Sequence, residues 1–553
     1  MNSQSKRVIV IGLDGADWGI LRPLIDSGEL PVLKRIIDNG VSGILYSTTP
    51  AATPVAFPSF MTGMNPGKHG CLDFVKRKKD SYAVEAINPS GMGGAKIWDI
   101  IGGCGKKSLV MNLPCTYPPG EMNGIIISGM LTPRMSNDYC YPADMLDILK
   151  NKLHYRVHFR EIYSCEKERI DDFKDVTSKR TSTFLYFMDK QHFDLAILHY
   201  RGTDILGHYY YKYLDSSHPL YQESKSLEYK RMFLDYMKNL DKNIGVIYEK
   251  VKDDSVLMFM SDHGMTVLSR YFYVNNWLIK NGYLVVKNKL FSRLKFLLFK
   301  IGFTPKLILN VLSFIKMQGL VRGRKFIAPD KQRKLLQRLF FSLQDIDWDR
   351  TKAYSFSGFI NINLEGREPN GVVRKGSEYE AMRSQIISGL SGLIDVSTGQ
   401  KVLENVSKKE ELYSGPYTEE AGDIILVPKS GYEILGGYEF VSNSITEPAF
   451  FISGKHRKEG IFAAVGPEVV GGRSNINLSI LDLAPNILHI LDIPVSKSMD
   501  GKVCRDIFSR DSVLFKREVV YSSYGEPDLH ARLRSEEEEE EIKKSLKSLG
   551  YIG

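Results

Sequence analysis

Five short runs in this chain are apolar almost throughout, and each is followed by turn residues or a helical pattern: "RVIVIGLDG", "KSLVMNLP", "FDLAILHY", "SVLMFMSDHG" and "GIFAAVG". That rhythm constrains the fold more than any other feature. A strand that is apolar on both faces has to be covered on both, so such strands alternating with helices predict a mostly parallel sheet sandwiched by helices. Helical stretches do lie between the runs, "PVLKRIIDNG" closed by Gly40 and "AKIWDIIGGCG" closed by Gly102 and Gly103. The expected class is α/β. With 553 residues, 43% hydrophobic and 25% charged, the chain has ordinary globular usage and is too long for one small core.

The rhythm breaks in the middle, which predicts an organisation into four parts. Residues 1–269 form the first part of a core, 270–440 an inserted cap region with basic helices and a strand pair in "AYSFSGFININLEGREPNGVV", 441–515 the last part of the core, and 516–553 a charged C-terminal tail. In the tail an acidic run, Glu536 to Glu541, leads into a short charged helix. The N-terminal apolar run stops at Asp14, too soon for a signal peptide, and no stretch reaches about 18 uninterrupted apolar residues. Six scattered cysteines, Cys71, Cys104, Cys115, Cys140, Cys165 and Cys504, argue against a disulfide framework and against a cysteine metal site. The expected compartment is the cytoplasm.

The net charge of +9 is concentrated: residues 284–326 hold ten Lys/Arg and no Asp/Glu. Within that span "LFSRLKFLLFKIGFTPKLILNVLSFIKMQGLVRGRKF" predicts two basic amphipathic helices, broken at Gly302 and Pro305. They admit two readings: packing on the cap with a solvated basic face, or peripheral docking on an anionic membrane surface. No specific nucleic-acid binding is expected, and the oligomeric state is left open.

In an open α/β sheet, ligands gather beyond the carboxyl ends of the strands, so polar residues there carry weight. Asp14 follows "VIVIGL", Asp204 and His208 follow "FDLAIL", Asp262 and His263 follow "VLMFMS", and His456 shortly precedes "GIFAAVG". Asp204 and His208 are i and i+4, hence on one face of a helix. Any one of these is ordinarily a turn, cap or surface residue. Together they are three carboxylates and three imidazoles, a donor set suited to borderline divalent ions such as zinc. The stretch "TPAATPVAFPSFMTGMNPGKHG", Thr49 to Gly70, reads as a loop entering a short helix rather than a regular core element.

The pieces "GLDGADW", "TPVAFPSFMTGMNPGKHGCLDF", "MNLPCTYPP", "TDILGH", "MSDHG", "SGKHRKEGIF" and "SILDLAPNILHILDIPVSKSMDGK" resemble, in order from Val8 to about Phe508, the alkaline phosphatase superfamily. Within it they resemble the prokaryotic branch of the type I phosphodiesterase/nucleotide pyrophosphatase family. The resemblance implies an alkaline-phosphatase-like sheet with an inserted cap. It also implies a nucleophilic Thr or Ser sixteen residues ahead of the His of an "HG" motif, and counting back from His69 reaches Thr53. Carried over, one metal site comprises Asp204, His208 and His456, and the other Asp14, Asp262 and His263 with the Thr53 oxygen. Two divalent ions are implied, zinc first and manganese as the alternative.

The implied reaction is metal-dependent hydrolysis of small-molecule phosphodiesters or pyrophosphates through a phospho-threonine intermediate, with helix N–H groups following Thr53 aimed at the phosphoryl oxygens. One departure stands out: where animal members of the family carry an Asn that donates to the phosphoryl oxygen, the aligned position is Phe74. Oxyanion stabilisation then has to come from backbone N–H groups or the ions. "TPVAFPS" has no Arg four residues after the nucleophile, against a sulfatase. Phosphomonoesterase or phosphotransferase action at the same centre is the alternative, and a non-catalytic scaffold a weaker one.

Overall fold

The computed structural model describes residues 7–307, 337–356, 358–435, 440–450, 452–525 and 534–549. Its largest element is a nine-stranded sheet. From edge to edge the strands run Leu478–Ser479, Val41–Tyr46, Glu459–Val465, Ser255–Met260, Arg7–Leu13, Leu195–Tyr200, Ser108–Leu113, Gly124–Ser128 and Cys140–Tyr141. All five apolar runs of the sequence are strands of this sheet. The Arg7–Leu13 strand is central and pairs in parallel with both neighbours, Val8 lying opposite Leu195 on one side and Val256 on the other. Alternate residues of that strand feed two cores: Val8 and Val10 the one, Ile9, Ile11 and Leu13 the other. Each such side chain contributes about 1.5–3 kcal/mol by leaving water.

Helices cover both faces. On one face lie Thr53–Thr62, Ile97–Gly103 and Leu483–Ile490; on the other lie Trp18–Asp26, Pro31–Asn39, Glu166–Lys190 and Glu223–Val251. The last helix shows why the sequence folds this way. Phe233, Met237, Leu240, Ile244, Ile247 and Val251 recur at three- and four-residue spacing, and all are buried. Its Asp241 accepts from the N–H groups of Val32 and Leu33 at 3.0 and 2.9 Å, capping the Pro31–Asn39 helix, which has no side-chain cap of its own.

Three sequence expectations are corrected in detail. The Glu459–Val465 strand is antiparallel to both neighbours, with Phe462 opposite Met260, so its start lies where the parallel strands end. The Ile97–Gly103 helix runs through Gly102 and Gly103, and the left-handed turn falls at Gly105 instead (φ +76°). The Thr49 to Gly70 stretch, expected to be a loop entering a short helix outside the regular core, does enter a helix, Thr53–Thr62, but all ten of its residues are buried. Its Ala, Phe, Val and Met residues fill the core while Thr53 and Pro54 fit a helix start, and Pro58 lies inside the helix.

A second, antiparallel sheet comprises Ala353–Phe356, Phe359–Ile362, Ile424–Pro428 and Leu403–Lys408, with a core of its own that includes Ile386 and Leu390 of the Ser377–Ser391 helix. The strand Gly264–Phe272 pairs with Gly431–Ile434, Thr446–Pro448 and Gly454–Arg457. Of the two basic amphipathic helices, Leu290–Lys300 is present and ends before Gly302 (φ +95°). The other lies mainly outside the described residues. No described helix is long and apolar enough to cross a membrane.

Candidate active site

The carboxyl ends of three adjacent parallel strands deliver the acidic residues. Asp14 follows Arg7–Leu13, its N–H bonded to the Tyr200 carbonyl at 2.9 Å, and Asp262 follows Ser255–Met260. Asp204 sits in the first turn of the Gly202–Leu214 helix, which starts directly after the third strand. Gly15 makes this convergence possible. Its φ is +63°, and a Cβ there would lie 3.0–3.2 Å from Asp204. The Thr203 hydroxyl donates to the Asp14 carbonyl at 2.5 Å, tying the two loops together.

The histidines arrive from three directions. His208 is one helical turn beyond Asp204, His263 follows Asp262, and His456 comes from the Gly454–Arg457 strand, opposite Met265. His456 precedes its core strand, and the antiparallel direction of Glu459–Val465 brings it to the same edge as the others. Each ring uses Nδ1 on a backbone carbonyl: His208 on Gly454 at 2.8 Å, His456 on Ala51 at 3.1 Å and His263 on Gly264 at 3.1 Å. A carbonyl only accepts, so each Nδ1 carries a proton and each Nε2 is the nitrogen left facing into the site.

Asp204 Oδ1, His208 Nε2 and His456 Nε2 form a triangle with sides of 3.1, 3.3 and 3.0 Å. Ligands around one tetrahedral zinc ion have edges of about 3.3 Å. Around His263 Nε2 lie Asp262 Oδ2 at 3.2 Å, Asp14 Oδ1 at 3.7 Å and Thr53 Oγ1 at 3.3 Å. The His263 and His456 rings stack 3.5 Å apart, so the two groups adjoin. Thr53 is the first residue of its helix and 3% exposed. All seven residues singled out in the sequence are therefore brought together.

The electrostatics are those of a cation site. Asp14, Asp204 and Asp262 are all buried, and both Asp14 oxygens, Asp204 Oδ1 and Asp262 Oδ2 have no hydrogen-bond partner among the described residues. Burial, followed by the fields of Asp262 and Asp204, pushes the Asp14 carboxyl well above the usual carboxylate range. Burial opposes ionisation of Asp204 too, but the proton-bearing His208 ring that faces it, with His456 beside, overcomes this and holds Asp204 well below that range, and Asp204 in turn raises His208 against its burial; a divalent ion takes the place of such a proton. His263 is pushed down to about 4 by burial, with His456 adding to it, which keeps its ring neutral. Orphaned carboxylate oxygens and imidazole nitrogens gathered in a largely buried pocket are what divalent ions satisfy. The residues fit such ions.

Other residues support the site, and sequence patterning passed over them. His199, inside a strand, is fully buried, with Nε2 3.3 Å from Asp14 Oδ2 and Nδ1 3.2 Å from the Asn112 carbonyl. Burial pushes its pKa down to about 3. Its signal was a lone imidazole in an otherwise apolar run. Asp17 accepts from Arg457 at 2.6 and 2.9 Å and from the Met265 N–H at 3.1 Å, locking the residue after His456 to the Asp14 loop. His69 lies between Ser59 Oγ (2.9 Å from Nε2) and the Cys71 N–H (3.1 Å from Nδ1), fastening the Thr53–Thr62 helix to the following turn.

Of the expectations about the phosphoryl oxygens, the one for the helix N–H groups comes out differently. Phe74 is packed in the core. At the start of the Thr53–Thr62 helix, Pro54 has no N–H and the Val55 and Ala56 N–H groups both bond the Ala52 carbonyl at 2.9 Å. The Thr53 N–H is thus the first-turn donor that the helix itself does not engage.

Residues 8–448 match the family model described as type I phosphodiesterase/nucleotide pyrophosphatase. Among solved structures, the chain is similar to phosphonoacetate hydrolase from Sinorhizobium meliloti 1021 in complex with phosphonoacetate, at 15% identity and a TM-score of 0.50 over 88% of this chain and 96% of the other. An AMP complex of inactive murine ectonucleotide pyrophosphatase/phosphodiesterase 5 aligns at 15% identity and a TM-score of 0.49, over 91% of this chain and 100% of that one. A search of curated proteins returns no match. At this identity the phosphonoacetate hydrolase likeness shows a shared fold.

Proposed function

The chain belongs to the type I phosphodiesterase/nucleotide pyrophosphatase family and is a phosphohydrolase; from that premise we propose that it cleaves phosphodiester or pyrophosphate bonds with Thr53 as nucleophile in a two-ion centre. The observation that carries this reading is the convergence of three imidazole Nε2 atoms and three buried, under-bonded carboxylates beside the Thr53 hydroxyl. Asp204, His208 and His456 hold one ion; Asp14, Asp262 and His263, with Thr53 Oγ1, hold the other. Zinc suits this mixed O/N set best, and manganese is the alternative. When bound, such ions supply the positive charge that lowers the pKa of a hydroxyl and offsets negative charge on the oxygens around phosphorus.

The chain's own groups then divide the work. The Thr53 oxygen forms the bond to phosphorus, and the ester or pyrophosphate oxygen departs with its electron pair and takes up a proton. Water next displaces Thr53 from the covalent phospho-threonine and restores the hydroxyl. The three Nδ1–carbonyl bonds keep the rings aimed during both steps. The Thr53 N–H, unused by its helix, is placed to donate to a phosphoryl oxygen.

The test is hydrolysis of bis(p-nitrophenyl) phosphate and p-nitrophenyl phosphate after chelation and after re-addition of zinc or manganese. The reading expects activity to vanish on chelation, to return with metal, and to favour the diester. Full activity after exhaustive chelation contradicts the two-ion centre. A clear preference for the monoester replaces the diesterase reading with phosphomonoesterase action on the same ligands.

A further inference from the structure

The Leu290–Lys300 helix buries two polar side chains and exposes several large apolar ones. Its inward residues are Ser292, Lys295 and Phe299, and the two polar ones are held by Asp345, Ser292 Oγ at 2.8 Å and Lys295 Nζ at 3.1 Å. Its outward residues include Arg293 and Lys300 and a row of apolar ones. Leu290, Leu294, Leu297 and Ile301 recur at helical spacing and are 87%, 49%, 58% and 73% exposed, with Phe291 beside them at 64%. Single exposed leucines need no explanation, but a contiguous stripe of this kind marks an interaction surface.

Beside the stripe lies a cavity of about 320 Å³ whose lining includes Lys287, Arg293, Lys300 and Arg350 with Phe296 and Leu297, and no carboxylate. Among the described residues, Arg293, Lys300 and Arg350 form no ion pair with an acidic side chain. Leu297 belongs to both the stripe and the cavity, so apolar and cationic surfaces are continuous. A solvated protein partner would have to match a greasy ridge and a cationic cup together. An anionic phospholipid layer offers both at once, a phosphate at the surface and hydrocarbon beneath it.

We propose that this outer helix face docks the protein on an anionic phospholipid surface, the cavity taking a lipid phosphate while Leu290, Leu294, Leu297 and Ile301 enter the headgroup–acyl boundary. This docking is independent of the hydrolytic centre. The experiment is sedimentation of the full chain with phosphatidylcholine vesicles made with and without phosphatidylglycerol, at low and high salt. Binding is expected only to the phosphatidylglycerol vesicles, and more weakly at high salt. Leu294→Glu with Leu297→Glu, and separately Arg293→Glu with Lys300→Glu, should each reduce it at least ~10-fold. Hydrolysis of a soluble diester should stay unchanged in both, since neither pair touches the catalytic centre. The proposal is overturned if the wild type ignores phosphatidylglycerol vesicles or if neither pair of changes weakens binding. Inorganic phosphate binding by calorimetry without vesicle binding would make the cavity a soluble-anion site instead. A solution dimer that Leu294→Glu with Leu297→Glu dissociates, again without vesicle binding, would assign the stripe to self-association.

Discussion

At the scale of single residues, Thr53 and His199 make separable predictions. If the Thr53 oxygen attacks phosphorus, Thr53→Ala should keep fold and metal yet lose at least ~10²-fold in diester turnover, while Thr53→Ser retains part of it. Steady-state rates on bis(p-nitrophenyl) phosphate decide this; a wild-type rate in Thr53→Ala would make water the direct attacker. His199 has a supporting role by packing: its ring stands edge-on to Phe57, 4.9 Å between centroids, with Nδ1 on the Asn112 carbonyl and Nε2 against Asp14 Oδ2 at 3.3 Å without a hydrogen bond. His199→Ala, which opens a cavity behind Asp14, should weaken metal retention by about 10–100-fold, and the ring-sized His199→Phe should weaken it less. Titration against a competing chelator reads this without reference to turnover. The seven residues of the centre were legible in the sequence because six sit just past or just before a strand and Thr53 sits in a recognisable motif. The support from Asp17 to Arg457 was not, because it joins positions 440 residues apart and depends on one strand running antiparallel.

At the scale of elements, the Thr53–Thr62 helix owes its placement to burial and to His69. Burial pushes the His69 pKa from 6.5 down to about 3, and the neutral ring accepts the Cys71 N–H and reaches the Ser59 hydroxyl. Between those values the unfolded chain binds more protons than the folded one. The contribution of neutral His69 is therefore fully present above about pH 6.5 and is lost as pH falls toward about 3. His69→Gln should cost about 1–3 kcal/mol at neutral pH and flatten the dependence of stability on pH across that window by about one proton. Denaturant titrations of wild type and variant at a series of pH values give both numbers; parallel curves would show that His69 is not what titrates. The five apolar strands and their order of type were readable from continuous hydrophobicity. That the short helix expected there is buried along its whole length was not, because Thr and Pro signal turns and helix starts until the core around them is known.

At the scale of the whole molecule, the short charged helix expected in the C-terminal tail is present, Glu536–Leu549, and it docks on the core. Ile542 and Leu546 enter the same core as the Thr53–Thr62 helix, and Arg534 donates to the carbonyls of Ile87 and Tyr117 at 2.7 and 3.1 Å. Two apolar residues among many charges are a weak signal in a sequence, yet they suffice when a core has room for them. Leu546→Ala should cost about 2–5 kcal/mol of packing. Undocking of the helix should come first, so trypsin should cut at Lys543 and Lys544 faster than in wild type while diester hydrolysis changes little.

The centre itself draws on the whole chain, from Asp14 to His456, and its two-ion character is the claim on which the chemistry rests. The most direct measurement is elemental analysis of metal bound per chain in the wild type, His208→Ala and His263→Ala, each confirmed folded by circular dichroism. The account predicts about two divalent ions in the wild type and about one in each variant, because His208 belongs to one group of ligands and His263 to the other. Unchanged metal content in both variants, or a wild type that binds none when zinc and manganese are supplied, would contradict it.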